Sequence, residues 1–577
     1  MESPRFDLRA EGRGPIELTT RAGEPRWSPV AVSRLTWAFL ALGTIIRLVR
    51  FAVAHPPWGD ECYVAANLIE RDYAGLLRPL DYDQVAPVLF LWVELTAVRV
   101  LGFSEWSLRV YPTACAIAGL FVFRHLAGRV MAGPPLVMAV AIVAVAVNPI
   151  RHGGEAKPYA ADFLASTVLL AMAVEWWRRP DRSRWLWGMA ATAPIAMGTS
   201  IPAAFVLGGI GLAIAGPVFR ERKAGVTAAY LALNGAIAVG VLASWKLYGG
   251  AQSATLKAYM DYYWSANFPP LRDPGRLVLW LIKAHTGDLF AYPVGGSNCA
   301  SLATVACVVA GSVGLWRRGR STIVAACLAP LVGALAASTI RAYPYGETER
   351  LMQFEGPMIC LLAGSGLAWF AGRARRRPDS PRRVAVAFLV LFAAIGAGSI
   401  VADVVRPAKS IYDLRAREFA RRFWPDVGRD AEVACCRVDL GLDFEGPDHH
   451  GRSADYLTYQ KIYSDRHRRG APLDWASVSA TRPLRCVLYD GVPDDSPLFA
   501  SWMGQMARHY RLTRAETLRV NEGVAPKGVS FEDRLTVLEF VPRGEPVDPA
   551  KLAQAVMSSV DRGDGLISGG QDDLLRR

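Results

Sequence analysis

Apolar residues run in long blocks along this chain, separated by short charged stretches, from about residue 35 to residue 405. A helix of about 20 apolar residues crosses the roughly 30 Å hydrocarbon layer of a membrane. The blocks of about that length are residues 35–54, 107–126, 131–148, 159–177, 185–198, 203–219, 224–248, 299–316, 321–340, 351–371 and 384–405, so eleven spans are expected. The block 185–198 is short, and Thr199-Ser200-Ile201-Pro202 after it reads as a turn.

Positive charge tests this threading independently, because Lys and Arg concentrate in cytoplasmic loops. With the N-terminus inside, the inner loops hold Arg124 and Arg129, then Arg178, Arg179, Arg182 and Arg184, then Arg220, Arg222 and Lys223. Arg317, Arg318 and Arg320 follow, and finally Arg373, Arg375, Arg376, Arg377, Arg382 and Arg383. Residues 87–101 are apolar but short and carry Glu94 and Arg99; counting them as a span would put every later Arg cluster outside. They are expected to form a helix along the outer surface instead. Residues 277–290 read as a second interfacial helix, in an outer loop rich in aromatics.

After about Arg406 the pattern changes: apolar runs become short and charge rises. Residues 431–438, 484–489 and 535–541 have the β-branched content and turn-rich flanks of strands. Residues 411–423 and 497–510 read as helices, so a small α/β domain is expected. The expected organisation is a cytoplasmic tail (1–34), a membrane domain (35–405), an extracytoplasmic α/β domain (406–543) and a polar C-terminal tail (544–577). The fold class is thus a polytopic α-helical membrane protein with outer juxtamembrane helices and a small C-terminal α/β domain. The first span is too long for the apolar part of a signal peptide and reads as an uncleaved anchor. The expected location is a bacterial-type plasma (inner) membrane.

Composition agrees with this reading: 577 residues, 52% hydrophobic, exceed what one soluble core needs. The net charge of +13 sits in the short loops rather than on a basic face with interleaved aromatics, which argues against nucleic acid as a partner. The nine Cys residues show no metal-ligand spacing. Cys435 or Cys436 could pair with Cys486 in an oxidising compartment, or all could stay free thiols.

Ionisable groups at membrane level are costly and are kept mainly where they do chemistry or line a wet cavity. The first such group is Trp58-Gly59-Asp60-Glu61, just beyond the first span. A carboxylate there suits a general base, with its neighbour binding a metal or hydroxyls; a solvated loop is the plain alternative. Asp81, Asp83 and Gln84 form a second acidic stretch, able to chelate a divalent ion or bond a sugar, or to cap the helix that follows. Arg151-His152-Gly153-Gly154-Glu155-Ala156-Lys157-Pro158-Tyr159 is a polar knot on the same side, where Lys157 could hold a phosphate and Glu155 orient a partner. Arg47, Arg50 and Arg109 lie near the outer ends of spans, and could gather an anionic headgroup or simply snorkel. Arg341 and Arg350 flank the last outer loop, and His285 is a weaker candidate contact.

These motifs, in this order, resemble the C superfamily of membrane glycosyltransferases. That group includes the protein O-mannosyltransferases, the lipid A aminoarabinose transferase and the Rgt-like galacturonosyltransferases. The acidic pair resembles the group's first-loop signature. Gln84-Val85-Ala86-Pro87-Val88-Leu89-Phe90-Leu91-Trp92 and Gly102-Phe103-Ser104-Glu105-Trp106-Ser107-Leu108-Arg109-Val110-Tyr111-Pro112 are further marks. Glu155-Ala156-Lys157-Pro158-Tyr159 is similar to its second-loop motif, which usually has Arg in place of Lys157. Tyr343-Pro344-Tyr345-Gly346 with Arg350 resembles a late loop of the Rgt-like branch. The aminoarabinose transferases carry Glu-Lys where Val85-Ala86 stand here, which argues against an aminoarabinose donor.

The resemblance implies a sugar carried on a polyprenyl phosphate and transferred with inversion to a hydroxyl of a lipid, glycan or protein at the outer face. Membrane lipid is a partner, and no nucleotide cofactor is needed. Asp60, with Glu61 beside it, would be the base. Asp83, Gln84, Arg109, Glu155, Lys157, Tyr159, Tyr345 and Arg350 would bind substrate, with Lys157, and also Arg50, Arg109 and Arg350, meeting the phosphate. Dependence on a divalent metal ion stays open. The competing readings are a transporter or lipid flippase, which would want charge at mid-span and broken helices, and a membrane-anchored sensor working through its tail.

Overall fold

The computed structural model describes residues 27–82, 84–249, 254–296, 300–346, 349–373, 380–407, 411–426, 432–437, 483–489, 497–524 and 530–543. The chain divides into two compact units. One comprises Met1–Ala54, Tyr73–Pro79 and Val85–Val405; the other comprises His55–Asp72, Leu80–Gln84 and Arg406–Arg577.

The first unit is helical. Its elements are α1 (Pro29–Val53), then, after a helix of the second unit designated α2 (Gly59–Glu70), α3 (Val88–Leu101), α4 (Ser107–Val130), α5 (Pro134–Val145), α6 (Val147–Gly153) and α7 (Tyr159–Arg178). There follow α8 (Arg184–Thr199), α9 (Ala203–Glu221), α10 (Ala224–Ser244), α11 (Ala254–Tyr263), α12 (Pro274–Thr286), α13 (Ala300–Trp316), α14 (Ser321–Thr339), α15 (Gly356–Arg373) and α16 (Ser380–Val405). Eight helices among the described residues are long and apolar enough to cross a membrane: α1, α4, α7, α9, α10, α14, α15 and α16. Joined across a 46° bend, α5 and α6 would make a ninth. The two other expected spans are helices but short, 16 residues in α8 and 17 in α13. The eleven blocks of the sequence thus all form helix, and the count of full-length spans is eight or nine rather than eleven. The segments 87–101 and 277–290 are helical over Val88–Leu101 (α3) and Pro274–Thr286 (α12).

Local chemistry sets the ends. Ser28 caps α1 by accepting from the Ala31 N–H at 3.1 Å, and Pro29 takes the first turn, where no amide partner is needed. Asp273 caps α12 in the same way, accepting from Arg276 N at 3.0 Å with Pro274 behind it. The break between α5 and α6 has a cause in Pro149. It carries no N–H for the carbonyl of Val145, and its ring clashes with that carbonyl in a straight helix. Val147 N turns away to the Pro293 carbonyl at 2.9 Å. That leaves the last carbonyls of α5 without helical donors, and Arg47 of α1 supplies them. Its Nη1 donates to Ala144 O at 3.1 Å and to its own Gly43 O at 2.9 Å, and its Nη2 to Val143 O at 3.5 Å. A membrane helix can be broken only where such a substitute exists.

The core of this unit lies between α1, α4, α5, α7 and α15, with Leu40, Ile46, Phe123, Met138, Leu169, Trp176 and Leu361 buried together. The close crossing of α13 and α15 depends on two glycines. A Cβ on Gly366 would overlap the Cys307 carbonyl, and one on Gly311 would overlap that of Leu362. Small residues let membrane helices approach this closely.

The second unit holds α2, α17 (Ile411–Asp426), β1 (Glu432–Arg437), β2 (Leu484–Tyr489), α18 (Pro497–His509), β3 (Tyr510–Val524) and β4 (Ser530–Pro542). The sheet has the order β1-β2-β4-β3, with β1 parallel to β2 and the other pairs antiparallel. Leu484, Cys486 and Leu488 alternate along β2 and meet Phe499, Trp502, Met503 and Met506 of α18, with Leu538 and Phe540 from β4. Thr517 and Thr536 pair across β3 and β4 at 3.0 Å between hydroxyls. Cys486 is a buried free thiol, and Ala434 stands opposite it in the ladder; the side chains of Cys435 and Cys436 lie outside the described residues.

Two elements differ from the expectation. Residues 59–70 form a helix rather than a loop: Trp58 adopts extended backbone ahead of it, and the mostly apolar run 62–69 is buried all round. Strand β3 is missed because register shifts between Leu512 and Arg514 and between Arg519 and Asn521 break the period of two along its sequence.

Candidate functional site

The acidic motif and the polar knot belong to different compact units, and each is described on its own.

In the acidic segment, Asp60 stands in the first turn of α2 and is half-buried. Glu61 is 2% exposed, and its Oε2 accepts from Trp58 N at 3.3 Å, so it ties down the start of the helix. One turn further on, Tyr63 stacks on Tyr82 with ring centroids 5.2 Å apart. Asn67, wholly buried, grips the second acidic stretch: its Nδ2 donates to Asp81 O at 3.1 Å and its Oδ1 accepts from Asp81 N at 3.0 Å. Arg71 closes the ring with an ion pair to Asp81 Oδ2 at 2.6 Å. Held this way, Tyr82 adopts φ 60°, a left-handed conformation that costs a residue with a side chain. Gln84 Nε2 donates to the Tyr82 carbonyl at 3.0 Å. Burial, then the charges of Glu70 and Asp81, push the Tyr82 hydroxyl up to about 12, so it remains a neutral donor at ordinary pH. Asp83 lies outside the described residues.

In the first unit, the polar knot is the turn joining α6 to α7. Glu155, Lys157 and Tyr159 are 3%, 6% and 5% exposed. The turn is tight: Lys157 N donates to Glu155 O at 2.7 Å. His152 links two carboxylates, with Nδ1 3.2 Å from Glu155 Oε1 and Nε2 3.3 Å from Glu349 Oε1. Burial works against the ionised Glu349, but the hydrogen bond and charge of His152 outweigh it and hold the carboxyl below its ordinary value.

Cations converge on this turn. Arg50, at the end of α1, pairs with Asp403 at the end of α16, Nη1 to Oδ1 2.5 Å. It also lies within electrostatic reach of Glu155, Arg109 and Arg151. Arg109 is 4% exposed in the first turn of α4. That turn is the positive end of the helix, where a buried cation is disfavoured unless an anion compensates it. Lys157 likewise precedes the start of α7. A cavity of about 10 Å³, room for one water, lies behind, lined by Arg47, Tyr159, Phe163 and Gln353 among others.

The late loop is more structural than the sequence suggests. Tyr345 is fully buried, its hydroxyl is 2.9 Å from His285 Nε2, and its N–H donates to Asn267 O at 3.0 Å. It fastens the loop to α12 rather than presenting itself to a ligand, and His285 is engaged in that fastening. Arg350 stacks its guanidinium over Trp264, 5.3 Å from the ring centre.

Sequence reasoning passed over Asp403, Asn67 and the His152–Glu349 link. Asp403 had a signal: it is the one acid in the 26-residue helix α16. Asn67 and the pairing of Glu349 had none, since both depend on long-range geometry. Among the described residues, no three His, Cys, Asp or Glu side chains are grouped to hold a metal ion.

No family model matches the chain, and no curated protein matches it. Among solved structures it is similar to ArnT from Cupriavidus metallidurans bound to undecaprenyl phosphate. The TM-score is 0.47 at 13% identity, over 88% of this chain and 98% of that one. It is also similar to the oligosaccharyltransferase AglB from Archaeoglobus fulgidus, in complex with an inhibitory peptide and a dolichol-phosphate. There the TM-score is 0.41 at 10% identity, over 91% of this chain and 77% of that one.

Proposed function

We propose that this protein is an inverting glycosyltransferase that moves a hexose or pentose from a polyprenyl phosphate to a hydroxyl at the outer membrane face. The observation that carries the reading is the gathering of buried charge at helix ends. Arg50 and Asp403 end α1 and α16, Arg109 begins α4, and Glu155 and Lys157 fill the turn between α6 and α7. If the spans alternate as the Arg clusters indicate, all of these ends lie at the outer face. Charge kept at one membrane surface favours surface chemistry over a path through the bilayer, which would need ionisable groups at mid-span.

In this reading Lys157, Arg109 and Arg50 hold the donor phosphate, and Asp60 is the base. The acceptor oxygen attacks the anomeric carbon while the carbon–oxygen bond to phosphate breaks. The phosphate leaves with the electron pair, and Asp60 takes the acceptor proton. A single displacement inverts the anomeric centre, and a phosphate leaving group needs no general acid. Glu61 supports Asp60 by fixing the start of α2. The acceptor is a lipid, glycan or protein.

The test uses purified protein in nanodiscs with radiolabelled polyprenyl-phosphate sugars and a membrane extract as acceptor source. Release of free polyprenyl phosphate is followed for wild type and Asp60→Asn. The expected outcome is release that falls by about 10²–10⁴ in the variant, the usual contribution of a general base. Equal release by both would remove Asp60 from the chemistry, and no release with any donor would overturn the transferase reading.

A further inference from the structure

We infer that Asp403, on the last apolar helix, is a positioning residue that aims Arg50 and loosens its hold on the phosphate product. The inference rests on the transferase reading above.

Arg50 and Asp403 are 353 positions apart, yet their side chains meet at 2.5 Å and are only 12% and 11% exposed. Helix α16 has no other ionisable residue after Arg383, and a carboxylate at the end of such a helix is costly to desolvate. As a mere fastener it would be poor value, because buried ion pairs replaced by apolar side chains are often no less stable. The pair also has a direction. Arg50 runs along the backbone of Gly154, where a Cβ would stand 3.4 Å from its Cδ and Nε. The glycine therefore leaves room for the guanidinium beside Glu155, and Asp403 holds it there.

The charge on the substrate changes during the reaction. A sugar-linked polyprenyl phosphate is a phosphodiester with one negative charge. After the carbon–oxygen bond breaks, the phosphomonoester left behind carries about 1.5 to 2 charges at neutral pH, as such groups do. A cluster of bare cations would bind this product more tightly than the donor and would stall turnover. Asp403 competes with the phosphate for Arg50, so it weakens binding of the product most, where the charge is greatest.

The test measures binding of undecaprenyl phosphate to the full-length protein in nanodiscs, alongside steady-state turnover. Asp403→Asn keeps the shape and removes the charge. It is expected to bind undecaprenyl phosphate about tenfold more tightly, in line with loss of one opposing charge at a partly dry site. Donor KM and kcat should fall together, because release becomes slow. Asp403→Glu, which keeps the charge, should restore product affinity towards wild type. In Arg50→Gln the effect of Asp403→Asn should vanish. Unchanged or weaker product binding in Asp403→Asn, in protein that melts as wild type does, overturns the inference and leaves the transferase reading intact. Failure of wild type to bind undecaprenyl phosphate or turn over any donor overturns both.

Discussion

Asn67 and Asp81 are joined by two hydrogen bonds, one to each side of the Asp81 backbone, at 3.1 and 3.0 Å. One buried amide thus holds the turn that places Tyr82 in a strained conformation against Tyr63. Asn67→Ala leaves a backbone N–H and a carbonyl without these partners, at about 1–3 kcal/mol for each group that stays buried. The expected outcome is faster hydrogen exchange in peptides that contain Asp81 and turnover well below wild type. Unchanged exchange would show that Asn67 does not hold the turn.

Arg47 and the end of α5 make a second prediction. The guanidinium spans carbonyls of two helices, which a single ammonium cannot do in the same geometry. Arg47→Leu should lower the thermal midpoint most, losing about 1.5–3 kcal/mol per charged hydrogen bond. Arg47→Lys should fall between that variant and wild type. If both melt as wild type does, the break between α5 and α6 is satisfied some other way.

Much of the architecture was legible because its physics is local. Apolar blocks long enough to cross a membrane became helices, and the Pro and Ser or Asp pairs that begin α1 and α12 mark their own starts. The short runs 484–489 and 535–541 lie within strands for the same reason. What could not be read depends on distance. Pro149 signals a break, but nothing local says that Arg47, about a hundred positions away, will fill it. Asp60 and Lys157 stand out as charges beside apolar blocks. Tyr345 looked equally exposed in sequence and is buried only because His285 and Asn267 come to meet it.

Glu349 gives a prediction in pH. Its carboxyl sits below the ordinary value of 4.5 because of His152, with burial opposing. A group whose folded value is depressed stabilises the fold above its unfolded value and loses that contribution as pH falls through the folded one. The loop carrying Glu349 should therefore stay protected at neutral pH and loosen only below about pH 4.5, the ordinary carboxylate value. Glu349→Gln lacks the ionised partner at every pH. Its loop should exchange faster at neutral pH and show no further loosening on acidification. Parallel acid profiles for the two proteins would rule out the His152–Glu349 link as the cause.

The last prediction concerns the tail. Residues 55–72 and 80–84, which include Asp60, form one compact unit with residues 406–577 rather than with the helical unit. A chain ending at Val405 keeps every helix among the described residues that is long and apolar enough to span the membrane, so it should still insert. It loses the rest of the unit that contains α2. Turnover should therefore drop to the level of Asp60→Asn, and peptides from residues 59–70 should exchange rapidly. Donor binding, which the reading assigns to Lys157, Arg109 and Arg50, should survive. Turnover close to wild type in the truncated chain would separate the acidic segment from the C-terminal domain.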